Sequence, residues 1–170
     1  MKKFLKEKSI PKIPFFIMVI LFTLVALEMG AATIMKLGIH ADIISGNSME
    51  RTIYDGGKII EVSSSLKNIK RGDIVSIEVY LNGERTMILK RVIGIPGENI
   101  DIKGANVYIN GRILDEPYAY YSEAGNDGLN KTLGEDEYFV MGDNRIISLD
   151  SRHIGPVPRD AIKSVIIKYK

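Results

Sequence analysis

Two short stretches of this chain hold residue types that could together perform nucleophilic catalysis. The first is SGNSM, residues 45–49, a turn-forming segment that contains the hydroxyl of Ser48. A serine is a weak nucleophile unless a neighbouring base takes its proton. The second is the apolar stretch MILKRVIGI, residues 87–95, which contains Lys90. A lysine can act as that base only when burial lowers its pKa well below the ordinary value of about 10.4.

Strand alternation gives Lys90 apolar neighbours. If residues 85–95 form a strand, Lys90 lies on the same face as Ile88 and Val92, while Leu89 and Arg91 lie on the other face. An amine held between aliphatic side chains is what a neutral-lysine mechanism requires. The alternative is a lysine that extends its ammonium into solvent from a half-exposed strand, and the pattern alone leaves both open.

A third stretch, GDNRIISLDSR at residues 142–152, is dense in carboxylates, guanidinium groups and hydroxyls. Its candidate site residues are Asp143, Arg145, Ser148, Asp150 and Arg152. Carboxylates and arginines at this density can form a paired network at the edge of a site, and a hydroxyl there could orient a lysine amine. A solvated polar turn is the alternative for this stretch taken by itself.

The composition excludes several other kinds of site. The 170 residues include no cysteine, which removes disulfides, thiolate nucleophiles and thiolate metal ligands. The sequence contains no metal-binding cluster and no cofactor motif, so we expect neither a metal nor a cofactor. The net charge is +2, but the first twelve residues hold five lysines and one glutamate, which leaves −2 for the rest. We therefore expect no nucleic-acid partner.

A basic segment and a long apolar run begin the chain. The run from Ile13 to Met35 exceeds the ~20 residues that a helix needs to cross a bilayer. We expect a cytoplasmic tail at residues 1–12, a transmembrane helix at residues 13–36 and an external domain at residues 37–170, because lysines stay on the cytoplasmic side. A cleavable signal peptide begins in the same way, although its apolar core is shorter, about 7–15 residues.

The external part shows the alternating pattern of short strands. Segments rich in Val, Ile and Tyr predict strands at residues 58–62, 73–80, 85–95, 99–102, 106–109, 137–141 and 164–169. Asn82-Gly83 and Asn110-Gly111 separate such segments and tolerate the positive φ angles of two-residue hairpins. We therefore predict a mostly β fold with antiparallel sheets. The polar, Gly-rich segment at residues 120–137 is expected to be an exposed loop.

The motifs together resemble the bacterial type I signal peptidase (leader peptidase) family in its short, Gram-positive-like form. The resemblance covers nearly the whole chain: a basic beginning, one apolar segment, then SGNSM, RGDIV, KRVIGIPGE, VYINGRIL and GDNRIISLDSR in the family's order. Each motif alone is weak, but the serine, lysine and Gly-Asp-Asn-Arg motifs in one chain are specific. The resemblance implies an antiparallel β-sheet catalytic domain of the signal-peptidase type.

The resemblance also implies a role for each matching residue. Ser48, before Met, matches the nucleophile, and Lys90, before Arg-Val, matches the general base. Ser148 matches a hydroxyl that hydrogen-bonds the lysine. The supporting polar cluster is matched by Asp143, Arg145, Asp150 and Arg152. The substrate groove beside nucleophile and base is matched by Ile43, Ile44, Ile88 and Leu89.

Two positions near Ser48 depart from the common family pattern. The family usually has proline where this chain has Arg51, so the turn could be looser or the arginine could contact substrate or lipid. Gly46 and Asn47 suit a tight turn. Many Gram-negative members have a serine at the position of Gly46, and its hydroxyl donates to the oxyanion. Gram-positive members have glycine there, which leaves the backbone N–H of Ser48 as the surer donor.

The implied activity is removal of N-terminal signal peptides from exported preproteins, with small residues expected at the first and third positions before the cut. The expected setting is a single-pass protein of the cell membrane, with the lipid bilayer and the secretion translocon nearby and the catalytic domain outside. A non-catalytic signal-peptidase-like partner in surface-protein or pilus export is the alternative from another class, and it would be expected to lack the serine or the lysine. A peptidase dedicated to a narrow substrate is not distinguished from a general one.

Overall fold

The structure is a computed structural model that describes residues 15–36, 38–120 and 128–170. The chain divides into two compact units, at residues 1–36 and 37–170, and each is described by itself. The predicted basic segment at residues 1–12 lies outside the described residues, as do the first residues of the predicted membrane helix.

The first unit contains one apolar helix, α1, at Phe15–Lys36. Residues 16–33 have a mean hydropathy of 2.1 and exposed side chains, so the helix is long and apolar enough to cross a membrane. The hydroxyls of Thr23 and Thr33 donate to the carbonyls of Ile20 and Met29, each at 2.8 Å, and these bonds satisfy both hydroxyls within the helix. The prediction of one apolar N-terminal helix is confirmed.

The second unit is built mainly from short strands. In the described residues these are β1 (Ile39–Ile43), β2 (Lys58–Ser63), β3 (Ile74–Leu81), β4 (Glu84–Gly94), β5 (Asn99–Lys103), β6 (Asn106–Ile109), β7 (Arg112–Ile113), β8 (Leu129–Thr132), β9 (Glu137–Met141), β10 (Val157–Pro158) and β11 (Ile162–Tyr169). A one-turn helix, α2, spans Ser151–Ile154.

The strands form two sheets, and all pairings between them are antiparallel. The larger sheet has the order β1-β2-β11-β3-β4-β9-β10, and the smaller has the order β7-β6-β5-β8. The β3–β4 hairpin turns at Asn82 (φ 53°) and Gly83 (φ 83°), and the β6–β7 hairpin turns at Asn110 (φ 50°) and Gly111 (φ 78°). These left-handed angles are those of two-residue hairpins. The predicted fold class, mostly β and antiparallel, is confirmed.

Four strands were not predicted, and one of them corrects an expectation. Leu129–Thr132 form β8, which pairs with β5, so the predicted exposed loop at residues 120–137 is wrong there. Residues 121–127 of that segment lie outside the described residues. The strand lacks apolar alternation, and it is held at the sheet edge by its pairing with β5 and by side-chain bonds: the Asn99 amide donates to Asn130 Oδ1 at 2.9 Å and to Thr132 Oγ1 at 3.2 Å.

Three apolar clusters make up the core, and the third positions the candidate site. Its buried members are Met49, Ile53, Ile59, Ile74 and Leu89. They come from the loop after β1 and from β2, β3 and β4. The segment that contains Ser48 is therefore packed onto the same strands that carry Lys90.

Candidate active site

The loop that carries Ser48 is fixed by the buried side chains of Met49 and Ile53. Each is only 1% exposed, and the Ile53 N–H donates to the Met49 carbonyl at 2.8 Å. Burial of a large apolar side chain contributes about 1.5–3 kcal/mol. These two buried side chains therefore hold the loop of Ser48 against the sheet.

The turn before Ser48 lies at the predicted residues. Gly46 has a φ of 103°, in a region that favours glycine. Its N–H donates to Asp55 Oδ1 at 2.7 Å, and the Asn47 carbonyl accepts from the Glu50 N–H at 3.1 Å. These contacts turn the backbone away from β1 and into the loop of Ser48.

The polar segment at residues 142–152 packs against the Ser48 loop and bonds to it through the backbone. The N–H of Asn144 donates to the Ser48 carbonyl at 3.0 Å. A Cβ placed on Gly142 would lie 2.5 Å from the same carbonyl oxygen and 2.2 Å from the Ser148 hydroxyl. Both distances are far below van der Waals contact, so only glycine allows this close approach.

Lys90 is buried and contacts the Ser48 hydroxyl. The residue is only 3% exposed. Its Nζ lies 2.9 Å from Ser48 Oγ and donates to the Leu89 carbonyl at 2.8 Å. Burial lowers the pKa of Lys90 from 10.5 to about 8, against the opposing attraction of the Asp150 and Asp143 carboxylates. The alternative of a lysine whose ammonium extends into solvent is wrong.

Asp143 is held by an arginine that was not among the predicted site residues. Arg91 donates to both Asp143 oxygens, from Nε at 2.8 Å and from Nη2 at 2.6 Å, and Thr52 Oγ1 donates to Oδ2 at 2.5 Å. Asp143 is fully buried and Arg91 is 9% exposed. The position of Arg91 next to Lys90 was a usable signal, because a buried carboxylate at the site must find a cation.

Asp150 and Arg152 form a second buried pair. Arg152 donates to the Asp150 carboxylate from Nε and from Nη2, each at 2.9 Å, and the Gly142 N–H donates to Asp150 Oδ2 at 3.0 Å. Burial opposes the ionisation of Asp150, but the bonds from Arg152 and Gly142 outweigh it, and the pKa of Asp150 is lowered. Both carboxylates near Lys90 are thus neutralised by arginines.

Ser148 is buried beside Asp150 and does not bond to the lysine. Its hydroxyl lies close enough to the Asp150 carboxylate to favour ionisation, but without the geometry of a regular hydrogen bond. Lys90 Nζ makes its contacts with Ser48 and Leu89 instead. The hydrogen bond to Lys90 that the family resemblance implied for Ser148 is absent from this structure.

Arg145 supports the polar segment and contacts Gly142 and Glu116. It donates to the Gly142 carbonyl at 2.9 Å and forms a buried ion pair with Glu116, at 2.5 Å between Nη2 and Oε1. The backbone N–H of Arg145 also donates to the Tyr120 carbonyl at 2.9 Å. Arg145 therefore ties residues 116–120 to the polar segment.

Arg51, at the position where the family usually has proline, adopts a φ of 78°. Proline is fixed near −65°, so it cannot take the backbone conformation found here. The guanidinium carbon of Arg51 lies 4.1 Å from the centroid of the Tyr120 ring. The Arg51 side chain thus makes a cation–π contact with Tyr120.

A groove of about 260 Å³ opens beside Ser48 and Lys90. One wall is Asp42–Ser45, from the edge strand β1 and the turn after it, and the other wall is Met87–Lys90 of β4. The four residues predicted for the groove, Ile43, Ile44, Ile88 and Leu89, all line it. Within the described ranges no cluster of His, Cys, Asp or Glu could hold a metal ion.

Comparisons with known proteins point to one family. A profile of the signal peptidase family, peptidase S26, matches residues 15–167. Signal peptidase I of Bacillus amyloliquefaciens is 42% identical over 123 residues, which are 65% of this chain and 64% of that protein. Signal peptidase I V of Bacillus subtilis is 34% identical over 138 residues, which are 72% of this chain and 80% of that protein.

A crystal structure of a signal peptidase I from Enterococcus faecalis is 34% identical and superimposes with a TM-score of 0.49, covering 58% of this chain and 97% of that chain. The present chain spans 64% of the Bacillus amyloliquefaciens relative, a little less than two thirds of its length. As the motifs predicted, the chain belongs to the signal peptidase family, peptidase S26, a family of membrane-associated hydrolases that remove signal peptides.

Proposed function

We propose that this protein is a membrane-anchored serine endopeptidase that removes signal peptides from exported preproteins, with Ser48 as nucleophile and Lys90 as general base. The observation that carries the proposal is the 2.9 Å contact between a buried lysine amine and a serine hydroxyl. A non-catalytic assembly partner has no need of such a contact, which favours an enzyme over that alternative.

The reaction begins with Lys90 uncharged, so that the Ser48 hydroxyl donates its hydrogen bond to Nζ. As Oγ attacks the carbonyl carbon of the cleaved bond, its proton passes to Nζ and the carbonyl π electrons move onto the oxygen. When the tetrahedral intermediate collapses, the C–N bond breaks and the Lys90 ammonium protonates the leaving amine. Water, deprotonated by the same lysine, then hydrolyses the ester on Ser48.

The surroundings of Lys90 supply the uncharged amine at moderate pH. Burial disfavours the ammonium, while the Asp150 and Asp143 carboxylates favour it. Because Arg152 pairs with Asp150 and Arg91 pairs with Asp143, each carboxylate attracts the ammonium less strongly than an unpaired one would. The proposed task of this buried network is to position the site while allowing a low pKa for Lys90.

The backbone N–H of Ser48 is the proposed donor to the oxyanion. In the described part of the chain it donates to no protein acceptor, whereas its carbonyl is bonded to Asn144. Gly46 offers no side-chain hydroxyl for this purpose. Loss of one donor of an oxyanion site costs roughly 10²–10³ in rate.

The groove is the proposed site for the residues before the cut. Its walls are the edge strand β1 and the part of β4 before Arg91, where β4 pairs with β3 alone among the described strands. A peptide that enters as an extended strand can bond to free backbone groups on both sides. Its last residue would then place its carbonyl at Ser48.

The proposed setting is a single membrane pass with the tail at residues 1–12 in the cytoplasm and the catalytic domain outside, near the translocon. The lysines of the tail and the apolar helix α1 support this orientation. Because the chain has no cysteine, a single introduced cysteine reports its location directly. Ser65→Cys should react with a membrane-impermeant maleimide in intact cells, and Ser9→Cys only after lysis.

The test of the activity is incubation of the detergent-solubilised full chain with a signal-peptide-bearing precursor, followed by sequencing of the new N-terminus. Wild-type protein and the exposed-lysine control Lys103→Ala should cleave at one site. Ser48→Ala and Lys90→Ala should leave the precursor intact while retaining the β-sheet circular dichroism of wild type. Cleavage by Ser48→Ala at the wild-type rate would refute the proposal.

A further inference from the structure

A second surface adjoins the Ser48 loop outside the groove. The Asn144 N–H donates to the Ser48 carbonyl at 3.0 Å, and Asn144 forms a β-bridge with Tyr120. The guanidinium carbon of Arg51 lies over the Tyr120 ring, 4.1 Å from its centroid. None of Asn144, Tyr120 and Arg51 lines the groove. The substrate residues after the cleaved bond also lie beyond the groove, so this surface is available to contact them.

Arg51 carries the positive charge of this surface, and its donors are uncommitted. Its side chain is exposed. Among the residues that the structure describes, the Arg51 guanidinium forms no ion pair and no hydrogen bond, and it contacts the Tyr120 ring. A cation–π contact uses the face of the guanidinium and none of its five N–H donors. The ring therefore orders the cation and leaves its donors available to a carboxylate.

The carboxylates beside Arg51 have other partners. Glu50, the preceding residue, accepts from the Asn144 side-chain amide at 3.1 Å. Asp55 accepts from the Gly46 N–H at 2.7 Å. Neither carboxylate lies within ion-pair distance of the Arg51 guanidinium in the described part of the chain. Arg51 thus presents an unpaired cation next to the loop of the nucleophile, and an anionic side chain is its complement.

Arg51 is close enough to Ser48 to reach the first residues after the cut. It follows Ser48 by three residues, and two backbone hydrogen bonds fold residues 47–52 into overlapping turns. Three residues span at most about 11 Å, and an extended peptide advances by about 3.3 Å per residue. Resting on the proposed function, we propose that Arg51 binds an acidic side chain among the first three substrate residues after the cleaved bond.

The preference should be modest, because Arg51 is exposed and the ion pair forms in contact with water. Surface pairs of this kind correspond to a selectivity of about two- to five-fold in kcat/KM. The proline that the family usually has at this position offers no donor and no charge. The preference therefore belongs to the arginine of this chain.

The test uses pairs of peptides that share the sequence before the cut and differ in one later residue. That residue is glutamate or glutamine, at the first, second or third position after the cleaved bond. The full-length wild type in neutral detergent should cleave the glutamate peptide about two- to five-fold faster in kcat/KM than the glutamine peptide, at one or more positions. At 1 M salt the ratio should approach one, because the Debye length is then about 3 Å.

Two substitutions of Arg51 test whether its charge sets this ratio. In Arg51→Asn the ratio should fall to about one, since asparagine is uncharged and tolerates a positive φ. In Arg51→Glu the ratio should fall below one, because like charges repel. If the side chain only held the turn, its removal would change the cleavage of both peptides alike. Each ratio is taken within one protein, so a change in the amount of folded protein cancels.

The matched control is Arg85→Asn. Arg85 is a second exposed arginine beside a tyrosine, 6.0 Å from the centroid of the Tyr80 ring, and it does not line the groove. Its glutamate-to-glutamine ratios should equal those of wild type. Wild-type ratios near one at all three positions, or unchanged ratios in Arg51→Asn, would overturn the inference.

A binding measurement separates this inference from the proposed function. If wild type cleaves none of the peptides, the proposed activity fails, and binding to Ser48→Ala protein then decides the inference by itself. Tighter binding of a glutamate peptide, lost in Ser48→Ala/Arg51→Asn, supports the role of Arg51, and equal binding of each pair contradicts it. If Arg51→Asn instead slows all peptides equally, and only in vesicles that contain anionic lipid, Arg51 contacts lipid and the inference is overturned.

Discussion

The close approach of Gly142 to the Ser48 loop gives a sharp prediction. A methyl group at position 142 would lie 2.5 Å from the Ser48 carbonyl oxygen and 2.2 Å from the Ser148 hydroxyl. Favourable contacts to carbon lie near 3.5–4.0 Å, so the two segments must separate by about 1 Å. A displacement of this size at a nucleophile can lower the rate about 100-fold. We expect Gly142→Ala to reduce kcat by about that factor.

The assay is cleavage of a signal-peptide-bearing precursor, measured beside thermal unfolding followed by circular dichroism. Overpacking costs about 1–3 kcal/mol of stability, so folding must be checked at the assay temperature. Gly134→Ala is the matched control, because a Cβ there meets only the Glu137 side chain, at 3.5 Å or more. If folded Gly142→Ala cleaves within about three-fold of wild type, the polar segment does not set the position of Ser48.

Three further predictions concern the buried charges and the turn. The pKa of Lys90 is 10.5 in the unfolded chain and about 8 in the folded protein, so between these pH values only the unfolded chain keeps the proton. The free energy of unfolding of the wild type should therefore rise with pH, by up to about 3 kcal/mol from pH 7 to 10.5 relative to Lys90→Met. Urea unfolding at each pH measures this difference. Arg91→Met should lower the free energy of unfolding by about 3 kcal/mol or more, because it leaves the buried Asp143 carboxylate without its cation. Lys103→Met removes an exposed ion pair and should be about as stable as wild type. Equal losses of stability in the two variants would contradict this prediction. Arg51→Pro should destabilise the protein and lower its activity, because proline cannot adopt a φ of 78°. Arg51→Gly should fold, since glycine tolerates this angle. A fully active Arg51→Pro would show that the turn adopts another conformation.

The Ser48–Lys90 pair was predictable only from several motifs taken together. Each motif is weak alone, but the serine, lysine and Gly-Asp-Asn-Arg motifs in one chain are specific. The hairpins at Asn82-Gly83 and Asn110-Gly111 were predictable from the local sequence, since the φ angles of a two-residue turn restrict the residue types.

Features that depend on distant partners could not be predicted. The position of Arg91 next to Lys90 marked it as a candidate cation, but the sequence does not show that its partner is Asp143, 52 residues later and after the end of β9. Strand β8 lacks apolar alternation and exists because β5 offers backbone partners. The left-handed φ of Arg51 contradicts the ordinary preference of arginine, and only the Tyr120 ring beside it supplies a reason.

Glu61 illustrates a third kind of limit. It stands in the segment KIIEVS of β2, where a charged residue normally marks the solvent face. The alternation places it instead on the face of Ile59, and the neighbouring strands β1 and β11 contact its carboxylate through His40 and Ser164. Burial of this carboxylate thus follows from the order of strands in the sheet, which the local pattern does not encode.

The central claim is that an uncharged Lys90 activates Ser48, and the pH dependence of kcat/KM tests it most directly. With a pKa of about 8, roughly one tenth of the lysine is uncharged at pH 7 and nine tenths at pH 9. We predict that kcat/KM rises about ten-fold over this range, reaches half of its maximum near pH 8 and then levels off. A rate that stays flat from pH 6 to 10, or that still rises ten-fold per pH unit above pH 9, would contradict the account.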